Sequence, residues 1–185
     1  MTDSFPKHSI ETAPETARPL LDRVRREYGH IPNVYAKMAE SPALLEAAIE
    51  ADRIFETATR FTPLERHAVM QTANRVNGCT YCLAAHGHGA VRGGVCPPET
   101  DRRLREGAAT GDARIDALCR FTAHLVETRG WVETAELAAF LDAGYDRGQV
   151  LDLVLAAAVK TMTNYANHMT HPEIDPRYRE KDAAE

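Results

Sequence analysis

The chain has 185 residues, 44% of them hydrophobic, and carries 22 Lys and Arg against 27 Asp and Glu for a net charge of -5. That length fits one domain or a tight pair of small halves, and the acidic balance argues against nucleic acid and anionic membranes as partners. No run of 18 apolar residues occurs and none follows Met1–Lys7, so neither a membrane span nor a signal peptide is expected and the cytoplasm is the default location.

In chain order, residues 1–15 carry Pro6 and Pro14 and no periodicity, and read as a loose arm. A helical arm follows over 16–58. Within it Ser41-Pro42 is an N-cap with Pro at the first helical position, and Leu44, Leu45, Ala48, Ile49 and Phe55 supply the apolar face. Thr62-Pro63-Leu64-Glu65 is a capping box whose helix runs to about Asn77. Asn77-Gly78 ends that helix and turns into another, which starts near Cys79 and fades at Gly93-Gly94. Cys96-Pro97 opens a short helix ending near Gly107, with Cys96 at its N-cap. Asp112 caps the next, with Ile115, Leu118, Cys119, Leu125 and Val126 as its stripe. Glu133 to Ala143 forms another, stopped by Gly144. Asp146-Arg147-Gly148-Gln149 is a second capping box. It opens Val150–Met162, which is apolar nearly all round and is expected to be the buried central helix, closed by Asn164-Tyr165-Ala166-Asn167-His168. Residues 171–185, with Pro172, Pro176 and a charged finish, read as a second loose arm. No alternating β-branched run occurs, so the fold class is all-α: one domain over 1–185 with its core at 61–94.

The four cysteines do not make a disulfide framework in a chain this long, but Cys79 and Cys82 have CxxC spacing. Both fall in the first turn of a helix, where unpaired amides and the helix dipole favour thiolate over thiol. His86 lies four residues after Cys82, on the same face, within reach of its sulfur. An activated dithiol beside a base is equipment for redox chemistry at sulfur. Two plainer readings compete: a pair of buried small hydrophobes, or a zinc site built from Cys79, Cys82, His86 and His88. If the helices on either side of Gly78 form an antiparallel hairpin, Met70 and Gln71 face His86. His67 then lies about one turn away, roughly 5 Å along the axis, close enough to pass protons through water. Glu65 is accounted for by the capping box. His88 points elsewhere, to surface or interface, and Tyr81 either shapes the pocket or packs. Cys96 and Cys119 read as structural.

The run Thr62-Pro63-Leu64-Glu65-Arg66-His67, then Asn74, Asn77-Gly78-Cys79-Thr80-Tyr81-Cys82 and His86, resembles the AhpD-like alkylhydroperoxidases of the carboxymuconolactone decarboxylase-like superfamily. Ile31-Pro32-Asn33 through Ser41-Pro42 resembles the family's N-terminal arm, and Asn164-Tyr165-Ala166-Asn167-His168 through Glu173-Ile174-Asp175 its C-terminal segment. The resemblance implies an AhpD-like helical bundle in a symmetric homo-oligomer, trimer or hexamer, acting on a hydroperoxide without cofactor or metal. It implies that Cys82 attacks the peroxide to become a sulfenic acid. Cys79 then condenses with it to a disulfide, an external dithiol reduces that disulfide, and His86 takes part in proton transfer. The family's relay carries a glutamate twelve residues before the first cysteine. Here that position is His67, which can relay a proton but removes a negative charge that tunes the thiols. Thiol–disulfide exchange, a decarboxylase relative, and a non-catalytic helical oligomer or metal-binding module are the rival readings.

Overall fold

The structure, a computed structural model, describes residues 5–179. They form α1 (Arg18–Tyr28), α2 (Asn33–Met38), α3 (Pro42–Ala58), α4 (Pro63–Val76), α5 (Thr80–Arg92), α6 (Pro98–Glu106), α7 (Ala113–Glu127), α8 (Thr134–Asp142) and α9 (Arg147–Thr170). Short 3-10 turns add Glu15–Ala17 and Pro176–Tyr178, and among the described residues there is no strand. The expected all-α class therefore holds.

Four of these helices, α3, α4, α7 and α9, start where a side chain takes up their free amides. Ser41 accepts from the Leu44 amide, and Asp112 from those of Arg114 and Ile115. Thr62 with Glu65, and Asp146 with Gln149, complete both bonds of their capping boxes. Such caps stabilise a helix by about 1 kcal/mol each. The short helix α6 begins one residue later than expected, with Pro97 and not Cys96 at the cap.

The centre of the fold is α4, which packs against α5, α6, α7 and α9. Glu65 and every residue from His67 to Asn74 are buried. Because many of these are polar, α4 must be met by polar partners from its neighbours, and those partners make the site described below. The expectation that Val150–Met162 is an all-buried central helix needs correcting. Leu151 is 70% exposed and Val154 52%, because α9 packs one face on α3, α4 and α2 and leaves the other open. The helix also continues to Thr170. Asn164 and Asn167 point into the protein from its interior, and do not close it. At the far side of α4, Phe140 stacks between Phe121 (4.4 Å) and Tyr145 (4.6 Å).

The two arms are not loose over the described residues. The His8 amide donates to the Ala36 carbonyl (3.1 Å) and Ala13 is buried. At the other end Asp175 and Tyr178 are buried. The remaining arm residues, 1–4 and 180–185, lie outside those described. Asp175 explains the seating of the second arm. Pro32 starts α2 with its first amides unpaired by any helical partner. Asp175 accepts from the Asn33 amide (3.1 Å) and from the Tyr81 hydroxyl (2.6 Å), while that hydroxyl accepts from the Val34 amide (3.3 Å). Asn33 Nδ2 adds a bond to the Glu173 carbonyl (2.8 Å). Residues 33, 81 and 175 thereby fasten α2, α5 and the C-terminal segment together, and Tyr81 acts as a packing anchor.

Asp175→Ala strips the acceptor from two buried donors, each worth about 1–3 kcal/mol when left unpaired. Urea denaturation of that variant is expected to show a loss of roughly 3 kcal/mol.

Candidate active site

Gly78 turns the chain at φ 69°, a left-handed conformation that a side chain would strain. Cys79 is then the N-cap residue of α5, held by its amide to the Asn74 carbonyl (2.9 Å), and Cys82 sits in the first helical turn. Both are free thiols and buried. Asn167, arriving from α9, donates its amide to both sulfurs, at 3.4 Å to Cys79 and 3.1 Å to Cys82. Its Oδ1 is buried and has no partner among the described residues. Turning the amide over would put that oxygen against a thiolate, so electrostatics fixes its direction.

The pair loses its first proton easily. The Cys82 thiol hydrogen-bonds the Cys79 sulfur and, with Asn167 and the Cys82 amide, outweighs burial to bring Cys79 down to about 5. The same bond, seen from the donor, pushes Cys82 well above the ordinary thiol range, and burial pushes further. Lys160 and Asn164 act the opposite way on Cys82. The reduced site is therefore a dithiol monoanion, with one proton between two sulfurs.

Lys160, almost wholly buried on α9, donates to His86 Nε2 at 2.8 Å. An ammonium can only donate, so Nε2 is the acceptor and the ring proton is on Nδ1. Burial, then the charges of Lys160 and His67, hold His86 well below the usual imidazole range and keep it neutral. His67 on α4 is also buried, and its Nε2 meets Asp101 Oδ1 of α6 at 2.8 Å. Burial would raise the Asp101 carboxyl, but hydrogen bonds from His67 and Gln71 and the charge of Arg105 hold it below the usual range. Asp101 fits this close because residue 87 is glycine. A Cβ there would stand 2.7 Å from Asp101 Oδ2.

The polar groups of α4 and α9 form one directed line. Asn77 donates to Asn164 (2.9 Å), Asn164 to Asn74 (3.0 Å), Asn74 to Gln71 (3.4 Å) and Gln71 to Asp101 (2.8 Å).

A cavity of about 660 Å³ opens on this assembly. Cys82, His86, His67 and Lys160 border it together with Met70, Tyr28, Tyr35 and Asp52, whereas Cys79 lies behind Cys82 and does not. Burial raises Asp52 to about 6, although Lys160 draws it down. His88, expected on the surface, is half-buried in the same wall, its ring 5.3 Å from that of Tyr178. Among the described residues no three His, Cys, Asp or Glu side chains are grouped to hold a metal ion, so Cys79, Cys82, His86 and His88 do not make the zinc site considered from spacing. Glu65 faces elsewhere, bonded to Thr62 and to the Tyr145 hydroxyl (3.0 Å). Lys160, Asn164, Asn167 and Asp101 are the site residues that sequence reading missed as such. The i, i+4, i+7 spacing of the first three on α9 was the available signal.

No protein-family model matches the chain, and no curated protein is significantly similar in sequence. Solved structures do match. The "alkylhydroperoxidase AhpD core" protein of Ralstonia eutropha JMP134, described as an uncharacterized peroxidase-related protein, superposes with a TM-score of 0.82 at 20% identity, covering 94% of this chain and 93% of its own. An uncharacterized peroxidase-related protein from Silicibacter sp. TM1040 gives 0.79 at 22% identity, over 95% and 92%. A cysteine-to-alanine variant of the debrominase Bmp8, in complex with 2,3,4-tribromopyrrole, gives 0.77 at 15% identity, over 97% and 95%. The chain thus has the AhpD-core fold along nearly its whole length, as the resemblance implied.

Thiolate absorbance near 240 nm should report the shared proton. One equivalent is expected to appear with a midpoint of about 5 and the second only above pH 9. In Cys79→Ser the early step should vanish. A single step near the ordinary thiol value of about 8.5 in the wild type contradicts the monoanion.

Proposed function

We propose that the protein is a thiol-dependent peroxidase that reduces organic hydroperoxides through a Cys79–Cys82 dithiol/disulfide cycle, regenerated by an external dithiol. The observation that carries this reading is a buried CxxC thiol pair bridged by the Asn167 amide, with the Cys82 sulfur at the wall of a large cavity. The sulfur that borders the cavity is Cys82, so Cys82 is the attacking atom. Its proton passes to Cys79 along the bond between them. Asn167, Asn164 and Lys160 then stabilise the charge on Cys82. Attack on the terminal peroxide oxygen gives the sulfenic acid and an alcohol. Cys79 displaces water from that sulfenic acid and closes the disulfide.

His86, neutral, orients the cation beside Cys82, and His67 carries protons between the cavity and the interior. Asp101 supplies the negative charge that a glutamate at position 67 would have brought, one bond further out. The cavity, about 660 Å³, is in the range of sites for organic ligands, typically about 300–1,000 Å³. Hydrogen peroxide would leave most of it empty, which favours a substrate with a carbon body.

A second reading has the same two electrons leave through a carbon–halogen bond. The fold is shared with a debrominase, and Tyr28 and Tyr35 give this cavity aromatic walls. There an aryl bromide and two thiols would yield the arene, bromide, a proton and the disulfide. Bromide release from a brominated pyrrole, measured beside peroxide consumption, separates the two.

The peroxidase reading is tested by stopped-flow oxidation of the reduced protein with tert-butyl hydroperoxide. Cys82→Ser should consume none. Cys79→Ser should react once and stall as a sulfenic acid that dimedone traps. If instead Cys82→Ser still reacts and Cys79→Ser does not, the roles are reversed.

Self-association belongs to the same reading. Leu151, Val154, Tyr165 and Met169 make an exposed stripe along the outer face of α9, at 52–70% exposure. A symmetric trimer or hexamer through this face would cover it. Light scattering at micromolar concentration should give an oligomer mass, and a Leu151→Asp, Met169→Asp double variant should lower it. A monomer in the wild type removes the assembly from the proposal.

A further inference from the structure

Lys160 is a buried cation near the reacting sulfur, and neither the sequence motif nor the dithiol cycle gives its protons a role. It is 2% exposed, in the middle of α9, one turn before Asn164 and two before Asn167. Its Nζ stands 2.8 Å from His86 Nε2, and Lys160, His86 and Cys82 all border the cavity. The ammonium has three protons, and His86 accepts one of them. Asp52 borders the same cavity and feels the Lys160 charge. A lysine this buried carries a large desolvation penalty, which the bond to His86 and the nearby Asp52 carboxyl offset.

We propose that Lys160 is the general acid of the site: it protonates the oxygen that leaves as the peroxide bond breaks. The inference rests on the peroxidase reading. In the step, the Cys82 thiolate bonds to the terminal oxygen of ROOH and the O–O bond breaks. The departing RO⁻ takes a proton from Lys160 and leaves as ROH. Sulfur is oxidised by two electrons and the peroxide is reduced by two. Lys160 is left as the amine and Cys82 as the sulfenic acid. In the second step the Cys79 thiol gives its proton to Lys160, and its sulfur bonds to Cys82. The hydroxide expelled recovers that proton from Lys160 and leaves as water. Reduction of the disulfide by the external dithiol returns two thiols, and one of their protons passes to Lys160, restoring the ammonium and the dithiol monoanion together. Such an acid matters most when the leaving group is a poor anion, as an alkoxide is, and little when it is a carboxylate.

That dependence on leaving group is the test, and a structural role for Lys160 would not reproduce it. Single-turnover oxidation of the reduced protein is measured with tert-butyl hydroperoxide and with peroxyacetic acid, in wild type and Lys160→Met. The variant loses with both oxidants whatever Lys160 contributes to holding charge on Cys82, and should lose about 100-fold or more beyond that with the hydroperoxide alone, so that its peracid-to-hydroperoxide rate ratio rises by that factor. An equal loss with both oxidants, or none with either, overturns the role of Lys160 and leaves the dithiol cycle standing. A wild-type protein whose thiols neither oxidant touches overturns the peroxidase reading itself. A measurement without any variant gives a second check, because the peracid-to-hydroperoxide rate ratio of the wild-type protein should be compressed relative to that of free dithiothreitol. A ratio equal to that of the free dithiol also overturns the proposal.

Discussion

The ionised carboxylate of Asp101, sunk between α4, α5 and α6, sets the direction of everything polar around it. A carboxylate accepts and does not donate, so Gln71 must turn its amide nitrogen to it. The Gln71 oxygen then has to receive Asn74, the Asn74 oxygen Asn164, and the Asn164 oxygen Asn77. Protonating or removing the carboxylate releases the constraint on four amides at once. Three of the participants, Gln71, Asn74 and Asn164, are fully buried, where an unpaired polar group costs about 1–3 kcal/mol. The line therefore exists as a whole or not at all, which ties the geometry of α9 against α4 to a charge on α6.

The environment of the thiol pair draws on that tie. Asn164 is both a link in the line and a neighbour of the Cys82 sulfur, and Asn167 and Lys160 stand on the same face of α9. The helix carrying the reactive thiols contributes the cap and the free amides. The Cys82 thiol sets the resting charge on Cys79, and α9 supplies the groups that draw charge towards Cys82. Separating the two duties lets Cys79 stabilise an anion at the back of the site while Cys82 meets the cavity.

Much of the helical frame was legible in the sequence because its signals are local. Capping boxes at Thr62 and Asp146, the Ser41 and Asp112 caps and the glycine at 78 act within a few residues. The dithiol with His86 was legible for the same reason. What could not be read depends on contacts across 34 to 88 positions: His67 with Asp101, His86 with Lys160, Cys79 with Asn167. Composition misled at α9. An apolar helix looks buried, yet Leu151 and Val154 face out, while Lys160 and Asn164 face in because His86 of α5 and Asn74 of α4 offer them polar partners. Likewise Pro172 and Pro176 suggested a free tail, whereas the unpaired amides opening α2 recruit Asp175 and seat that segment.

The late position of α9 and Asp175 in the chain has a consequence for biogenesis. A ribosome delivers residues 79–86 long before residues 160–175. Until the later segment arrives, the thiols lack Asn167, Lys160 and the anchor on Tyr81, and titrate as ordinary cysteines near about 8.5. The nascent pair is thus mostly protonated at neutral pH. The lowered Cys79 thiol is a property of the completed fold, and an incompletely made chain does not yet hold the two sulfurs under the Asn167 amide.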